Sequence, residues 1–351
     1  MVRLKRFQKE GCVSYLVFEP TQREALLIDP RADLLPEYRS AMADLGLHCT
    51  CVFETKLHSH HYSGSHALRA ELGCEIFMAL ATESQRPTHK FRNGDSFLVG
   101  KIKFEVWETP GNASDSACLL TDGMIFTGDT LWIGSVAEAN YLGSDPEKLW
   151  ESQRRISQLK PETLIFAAHD SEELFFSTIA VEIKKNLDLI ISDRAHFMER
   201  KKISHRPTPD EETVKKRNYN RVLLPETVPT IEFSEAERNP FRFKDSYALS
   251  LNVEKFAAKA HQKKPSQLFI DIREKPEFER GHIPGAIHIP GFELGFHAAE
   301  LRKAEKIFLY CQSGGRSPLV SRNLLYLGFP DVTTLAGGFQ AWLNAGFSVA
   351  K

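Results

Sequence analysis

Short apolar runs alternate with turns and helix-like segments through the first half of the chain. SYLVFE and ALLIDP flank the turn-like PTQR and predict a pair of strands. The helix-like PEYRSAMADLGL and SHALRAELG then alternate with the strand-like TCVFE and EIFMA, which predicts a layered α/β fold. The later runs IKFEVWETPG, ACLLTDGMIFTGD and ETLIFAAHD carry polar residues at their C-terminal ends, where catalytic groups of such folds lie.

The pattern of apolar and charged residues changes at two points in the middle of the chain. Apolar residues at intervals of four, four, four and three predict one long helix there: Phe175, Ile179, Ile183, Leu187 and Ile190. Residues 201–250 are charged and contain several prolines, which predicts a linker with a short helical excursion over PDEETVKKRNYN.

Four strand-like runs follow that segment: QLFIDI, GAIHIP, KIFLYC and DVTTL. Strands that are apolar on both faces are typical of a parallel sheet. We therefore predict one domain over residues 1–200 and a second over residues 251–351, joined by the linker.

Length, charge and cysteine content exclude several classes of protein. The 351 residues predict two or three domains, and the net charge of −1 gives no global attraction to nucleic acid or to anionic membrane. No apolar run follows the basic start or is long enough to span a bilayer. Six cysteines are too few for a disulfide framework, and we place the Cys49-x-Cys51 pair on a buried strand, not in a zinc site. We expect a cytoplasmic location, since a reducing compartment is the default for such a chain.

The segment KIFLYC-QSGGRS-PLVSRNLLYLG carries the strongest chemical signal. A buried strand over 307–310 ends at Cys311, and Ser317 and Pro318 predict the N-cap and first position of a helix. Between them, Gln312, Ser313, Gly314 and Gly315 form a predicted substrate-binding loop with Ser317. The glycines let backbone N–H groups point inward, and Arg316 adds a positive charge, so that a thiolate or a persulfide is stabilised. The alternative is a buried cysteine followed by an arbitrary loop.

Loop length distinguishes between two cysteine chemistries. Cysteine phosphatases use C-x5-R, which would need the arginine at position 317. Here Arg316 comes one residue sooner and Ser317 follows it, and the tighter loop suits a sulfur atom better than a phosphate group. We predict that Cys311 is a catalytic nucleophile, assisted by Arg316.

About 100 residues at the C-terminus resemble the rhodanese family. Cys311, Gly314 and Arg316 are similar to its C-x-x-G-x-R pattern, and residues 269–290 and 334–349 resemble its two signatures, FIDIREKPEFERGHIPGAIHIP and TLAGGFQAWLNAGFSV. The resemblance implies a parallel-sheet domain that transfers sulfur. It also implies that Asp271 and Arg273 support the site, with a purely structural ion pair as the alternative.

The first 200 residues resemble the metallo-β-lactamase fold, in particular its persulfide dioxygenase branch. The landmarks are ALLIDP, TPGN, FTGDTLWIG, GSDPEKLW and AAHDSEELFFSTIAVEIKKN. The resemblance implies an αββα sandwich, and fusion of this domain to a rhodanese domain is itself a family pattern. It further implies that the protein handles persulfide sulfur, such as that of glutathione persulfide.

The metal motifs of that branch are incomplete in this chain. Its T-H-x-H-x-D-H motif, placed with His58 as the first histidine, puts Tyr62 at the aspartate and Ser63 at the last histidine. Placing it on Ser63-Gly64-Ser65 instead implies a two-residue deletion, and the D-H pair is absent either way. T-P-G-H becomes Thr109-Pro110-Gly111-Asn112, while Asp129 and His169 remain.

The resemblance implies that Fe(II) is held by two histidines and one carboxylate, at positions His58, Asn112 and Asp129. Asparagine offers only a neutral amide oxygen, a poor match for ferrous iron. A substitute site from His58, His60 and Asp129 stays open, and we place the remaining candidates at the surface: His61, His66 and His89. After T-G-D-T-L the dioxygenases carry an arginine that holds the anionic substrate, whereas here Glu138 in Ala137-Glu138-Ala139-Asn140-Tyr141 reverses the charge.

Three hypotheses follow. The first is a thiol sulfurtransferase that uses a Cys311 persulfide, with a degenerate, metal-free N-terminal domain. The second is a persulfide dioxygenase with rearranged iron ligands, and the third is an N-terminal domain that docks a partner protein. No cofactor is predicted under the first, and iron or zinc would bind only if His58, His60, Asp129 and His169 form a site. The expected partners are thiosulfate, glutathione persulfide and thiols, without nucleic acid or membrane, and a homo-oligomer stays open.

Overall fold

The structure, a computed structural model, describes most of the chain. The described residues are 2–134, 137, 139, 143–169, 174–201, 249–329 and 331–351. Two predictions, the helical excursion within 201–250 and the charge reversal at Glu138, lie outside the described residues. The chain divides into two units, Met1–Ser171 with Thr178–Phe241, and Glu172–Ser177 with Arg242–Lys351.

The first unit begins with a six-stranded sheet in the order β1-β2-β3-β4-β5-β6. Its strands are β1 (Arg3–Lys9), β2 (Cys12–Phe18), β3 (Glu24–Ile28), β4 (His48–Phe53), β5 (Glu75–Ala79) and β6 (His89–Phe91). Pairing is antiparallel from β1 to β3 and parallel from β3 to β6. The β2–β3 pair confirms the predicted strand pair, and Cys49 and Cys51 are buried on β4 as predicted.

A second six-stranded sheet has the order β12-β11-β10-β9-β8-β7. Its strands are β7 (Ser96–Val99), β8 (Ile102–Glu108), β9 (Ala117–Thr121), β10 (Met124–Gly128), β11 (Leu164–Ala167) and β12 (Ser177–Thr178). The Tyr15 ring on β2 packs edge-on against Phe126, with ring centroids 5.4 Å apart, and its hydroxyl donates to the Ala167 carbonyl at 2.7 Å. The two sheets therefore face each other through an aromatic core.

Helices cover the outer faces. Neighbouring residues on a strand point to opposite faces, so Leu16 turns away from the side that Tyr15 occupies. Leu16 packs with Tyr38 of α1 (Leu35–Leu45) and Leu68 of α2 (Ser65–Leu72). On the other side, Ser152 and Gln153 of α3 (Pro146–Ser157) donate to the carbonyls of Pro110 and Thr130, in the loops after β8 and β10. The result is the predicted αββα sandwich.

The predicted long helix is wrong. Two short helices replace it, α4 (Ile179–Lys185) and α5 (Leu187–Ile190), and a third, α6 (Arg194–Arg200), follows them. The break is at Asn186, whose backbone is extended and whose side chain accepts from the Asp188 N–H. The Asn186 amide also donates to the Trp132 carbonyl at 2.8 Å. A capping side chain with a tertiary partner thus ends a helix that apolar spacing alone would continue.

The second unit is a five-stranded sheet in the order β13-β17-β16-β14-β15, with every pair parallel, as predicted. Its strands are β13 (Leu249–Leu251), β14 (Gln267–Asp271), β15 (Ile287–His288), β16 (Lys306–Tyr310) and β17 (Val332–Leu335). Its helices are α7 (Val253–His261), α8 (Lys275–Arg280), α9 (Ala298–Leu301), α10 (Arg316–Tyr326) and α11 (Gly338–Asn344). Phe269 and Phe308 stack in its core, with centroids 4.4 Å apart.

Among the described residues, no helix combines the length and the apolar character needed to cross a membrane.

Candidate functional site

Cys311 lies where β16 ends and the loop into α10 begins. Its sulfur accepts the Ser317 backbone N–H at 3.4 Å, and its thiol donates to the Ser317 hydroxyl oxygen at 3.6 Å. Burial by itself raises the pKa of the Cys311 thiol. The Ser317 contacts and the backbone N–H groups of Arg316 and Gly314 outweigh burial and hold that pKa below the ordinary thiol value of 9.0. The loop therefore favours the thiolate, as the sequence predicts.

Ser317 has a different role from the one predicted for it. α10 begins at Arg316 and its N-cap is Gly315, which forms no side-chain cap. The Ser317 hydroxyl is directed at the Cys311 sulfur, so it does not serve as the cap. One hydroxyl can either cap the helix or contact the sulfur, and here it contacts the sulfur.

Gly337 and Gly338 hold the loop from a second segment. A Cβ on Gly338 would lie 2.4 Å from the Cys311 carbonyl oxygen, and Gly338 has a φ of 61°. The Phe339 N–H donates to that carbonyl at 2.8 Å, and the Gln340 N–H donates to the Gln312 carbonyl at 2.9 Å. The glycine pair in TLAGGFQAW is the sequence signal for this contact, which residue-by-residue reasoning did not use.

Asp271 and Arg273 form a buried ion pair that also reaches the loop. The guanidinium is 2.7 Å from Asp271 Oδ2 and donates to the Gln312 side-chain oxygen at 2.8 Å. It also lies 4.1 Å from the centre of the Phe339 ring. The pair is therefore both a structural ion pair and a support for the site, because Arg273 positions Gln312, the residue that follows the nucleophile.

The Arg316 guanidinium is paired with Glu277 at 3.0 Å, on an exposed edge of the site. Burial raises the pKa of the Glu277 carboxyl, but Arg316 outweighs burial and lowers it. Ser313 and Gly315 are exposed on the rim of the loop. Arg316 thus contributes a backbone N–H to the sulfur, while its charge is shared with Glu277.

In the first unit, the segment after β4 brings a lysine to the centre of the expected metal site. The Lys56 ammonium lies 2.5 Å from Asp129 Oδ2 and 2.7 Å from Asn112 Oδ1, and all three side chains are buried. Lys56, and not His58 as predicted, is therefore the residue that contacts Asn112 and Asp129. His58 Nε2 instead lies 2.8 Å from Asp29 Oδ1.

The motif T-H-x-H-x-D-H therefore fits Thr55-Lys56-Leu57-His58-Ser59-His60-His61. Lys56 takes the first histidine position, His60 takes the aspartate, and His61 keeps the last histidine. The substitutions predicted at Tyr62 and Ser63 fall outside the motif and are corrected here. The prediction from sequence aligned the motif by its histidines and therefore missed Lys56, because lysine is not expected at a metal-ligand position.

These residues do not fit a ferrous ion held by two histidines and a carboxylate. An ammonium has three donors and no lone pair, and it occupies the oxygens of Asn112 and Asp129 that would face the ion. Burial alone raises the pKa of the Asp129 carboxyl, but His169 and Lys56 together hold it well below the ordinary range. Protein cations thus neutralise Asp129.

A second buried cluster lies beside the first. Within the described ranges, Asp29, Glu54 and His58 form the one trio whose ligand atoms lie within 4.8 Å of one another. Both Asp29 oxygens accept from Thr55 at 2.7 Å, and Ser63 donates to Glu54. Burial lowers the pKa of His58, but Asp29 and Glu54 outweigh burial and raise it. The cluster places one imidazole between two carboxyl groups, and burial raises the pKa of the Glu54 carboxyl.

The remaining histidines are distributed differently from the prediction. His61 is 4% exposed, so placing it at the surface is wrong, whereas His66 is half-buried and His89 is exposed. The His60 ring packs edge-on against His169, with centroids 5.6 Å apart. His169 Nδ1 contacts Asp129.

Comparisons with known proteins agree with this architecture. Residues 253–345 match the rhodanese-like domain family. The mitochondrial persulfide dioxygenase ETHE1 of Bos taurus is 30% identical over 191 residues, which cover 53% of this chain and 75% of that protein.

The chain belongs to the persulfide dioxygenase family. The crystal structure of ETHE1 from Myxococcus xanthus matches with 28% identity and a TM-score of 0.54, over 57% of this chain and 88% of that one. A metallo-β-lactamase structure from Staphylococcus aureus subsp. aureus COL shares the fold, with a TM-score of 0.59 and 23% identity over 95% of this chain and 99% of that one. The family and the rhodanese-like domain support a role in sulfur metabolism.

Proposed function

We propose that this member of the persulfide dioxygenase family is a sulfurtransferase that carries sulfur as a Cys311 persulfide. The supporting observation is the Cys311 sulfur, which accepts the Ser317 backbone N–H and contacts the Ser317 hydroxyl. These contacts, with the backbone N–H groups of Arg316 and Gly314, lower the pKa of the Cys311 thiol. Those donors stabilise a thiolate before the reaction and a terminal persulfide sulfur after it.

The reaction is a balanced exchange of sulfur. The Cys311 thiolate attacks the outer sulfur of thiosulfate or of glutathione persulfide. The donor S–S bond breaks, a new S–S bond forms on Cys311, and sulfite or glutathione thiolate leaves. An acceptor thiol then removes the outer sulfur and returns Cys311 to the thiolate. Arg273 holds Gln312, which keeps the loop in position during both steps.

We further propose that the N-terminal domain does not bind the family's iron. Support comes from Lys56, whose ammonium pairs with Asp129 and Asn112, and from Asn112, which stands at a histidine position. Two of the three expected ligands are thereby replaced, one of them by a cation that repels another cation.

Peptide mapping after treatment with thiosulfate or glutathione persulfide tests the first proposal. One added sulfur should appear on the Cys311 peptide and should be removed by cyanide. Cys311→Ser should lose both that mark and thiosulfate turnover, while Cys118→Ser, at another buried cysteine, should keep both. Undiminished turnover in Cys311→Ser would disprove the assignment.

Iron loading without oxygen, followed by metal quantification and an oxygen-electrode assay, tests the second proposal. We expect far less than one iron per chain and no persulfide-dependent oxygen uptake. One iron per chain together with such uptake would instead establish a dioxygenase with rearranged ligands.

A further inference from the structure

Cys12 stands beside His169 because two chain segments meet at the end of β11. The hairpin turn at Glu10 and Gly11 directs the chain into β2, and the Val13 N–H donates to the Ala168 carbonyl at 2.7 Å. This contact places the Cys12 sulfur 3.4 Å from His169 Nε2. The backbone, and not side-chain flexibility, therefore sets the distance between thiol and imidazole.

The other nitrogen of the His169 ring is also fixed. His169 Nδ1 contacts Asp129 Oδ1, and the Trp132 indole N–H donates to the same oxygen at 3.1 Å. A thiol, an imidazole and a carboxylate in that order are the nucleophile, base and orienting group of cysteine-dependent catalysis.

The geometry separates this arrangement from a metal site. His169 uses nitrogens on opposite edges of its ring, so the Cys12 sulfur and the Asp129 oxygen lie on opposite sides of the imidazole. Their ligand atoms do not converge, and they are not among the convergent trios of the described residues. The three groups can pass a proton along the ring but cannot enclose one ion.

Cys118, a buried cysteine of the same unit, can be compared directly with Cys12. It is as buried as Cys12, but its sulfur contacts the Thr109 hydroxyl at 3.3 Å and the Thr127 carbonyl at 3.6 Å. Burial raises the pKa of its thiol to about 11. Cys12 therefore differs from Cys118 in having an oriented imidazole, and not in its depth.

We propose that Cys12 is a second nucleophilic thiol, positioned by His169 and Asp129, that accepts the outer sulfur of a small persulfide. The assignment as a nucleophile rests on the geometry, while persulfide as the substrate class rests on the proposed sulfur-transfer function. Cys12 is 2% exposed and the His169 side chain 19%, so the imidazole is the more accessible member of the pair.

The step balances without an added oxidant. His169 takes the Cys12 proton as the sulfur attacks the outer sulfur of the persulfide R–S–SH. The donor S–S bond breaks, a new S–S bond forms on Cys12, and His169 returns the proton to the leaving thiolate, which departs as R–SH. Asp129 keeps the imidazole oriented through both proton transfers.

Alkylation of the full-length chain with iodoacetamide, in the presence of EDTA, tests the nucleophile. In Cys311→Ser, peptide mapping should show Cys12 reacting at least about tenfold faster than Cys118. His169→Gln should slow Cys12 by about tenfold and leave Cys118 unchanged. Equal rates at the two cysteines in Cys311→Ser would overturn the proposal. That comparison needs no change at His169, so a folding defect in His169→Gln cannot decide it.

Glutathione persulfide tests the substrate class. In Cys311→Ser, one added sulfur should map to Cys12, and the double variant Cys12→Ser/Cys311→Ser should lose it. Rapid alkylation without sulfur loading would overturn persulfide as the substrate. In the unchanged chain, the Cys12 and Cys311 peptides are mapped separately. Added sulfur on Cys12 alone would contradict the function proposed for Cys311. Added sulfur on Cys311 alone would contradict only the inference about Cys12.

Discussion

The ammonium of Lys56 lies 2.5 Å from Asp129 Oδ2, and both side chains are almost completely buried. The lysine follows β4, while the aspartate follows β10, so the pair joins the two sheets of the sandwich. A positive charge supplied by the chain itself thus stands beside the one carboxylate that the iron motif retains. Stability and metal affinity should both depend on this pair.

Replacing Lys56 by methionine should destabilise the protein by about 3–5 kcal/mol, because the change leaves the buried Asp129 with only one of its two cationic partners. Urea unfolding measures the loss. Lys103→Met, at an exposed position of β8, is the control and should stay within about 0.5 kcal/mol of the unchanged protein. A Lys56→Met variant as stable as the control would show that the pair contributes nothing.

The double variant Lys56→His/Asn112→His should gain a metal site, because it places two imidazoles beside Asp129 and removes the competing ammonium. Metal quantification after anaerobic iron loading should give close to one iron per chain. Asn112→His alone should bind little, since the Lys56 charge remains. Equal loading of the single and double variants would show that Lys56 does not control the site.

Alkylation at Cys311 should reach half its maximal rate at a pH below 9.0. The sign follows from the lowered pKa, since a lower value makes the reactive thiolate the major form at lower pH. Ser317→Ala removes a donor to the sulfur and should move the midpoint upward. Ser321→Ala, whose hydroxyl donates to the Pro318 carbonyl on the same helix, should not move it.

Arg316→Ala should raise the Cys311 midpoint less than Ser317→Ala does. The alanine keeps the backbone N–H that faces the sulfur and removes a guanidinium that is paired with Glu277. The KM for thiosulfate should rise, because the exposed charge at the rim is lost. A larger midpoint shift in Arg316→Ala would mean that the side-chain charge, and not the backbone, sets the thiol pKa.

Gly338→Ala should abolish sulfur transfer, because the new Cβ would stand 2.4 Å from the Cys311 carbonyl oxygen. Gly346→Ala is the matched control, since Gly346 also has a positive φ but no atom within 4 Å of its Cβ position. The control should lose about 1–2 kcal/mol of stability and keep its activity. Thiosulfate turnover and urea unfolding of both variants separate loop displacement from backbone strain.

The Cys311 site could be found from the sequence because its parts are neighbours in the chain. A buried strand, a loop with two glycines and a helix start occupy consecutive positions, and the backbone donors of that loop belong to Gly314, Arg316 and Ser317 themselves. Local spacing therefore determines the chemistry. Likewise, the alternation of strand-like and helix-like segments predicted a layered α/β fold, and the runs that are apolar on both faces predicted a parallel sheet. The αββα arrangement was predicted from the family resemblance.

Only the tertiary structure decided what occupies the first domain's centre. The approach of Lys56 to Asn112 and Asp129 joins the segments that follow β4, β8 and β10. The approach of Cys12 to His169 joins the start of β2 to the end of β11. Sequence spacing gives no distance between such segments, so the motif could be placed two residues away from its true position. The same reason explains Asn186, where a partner on Trp132 ends a helix that periodicity extends. Contacts between segments distant in the chain settle these roles, because charge and hydrogen bonding act through space.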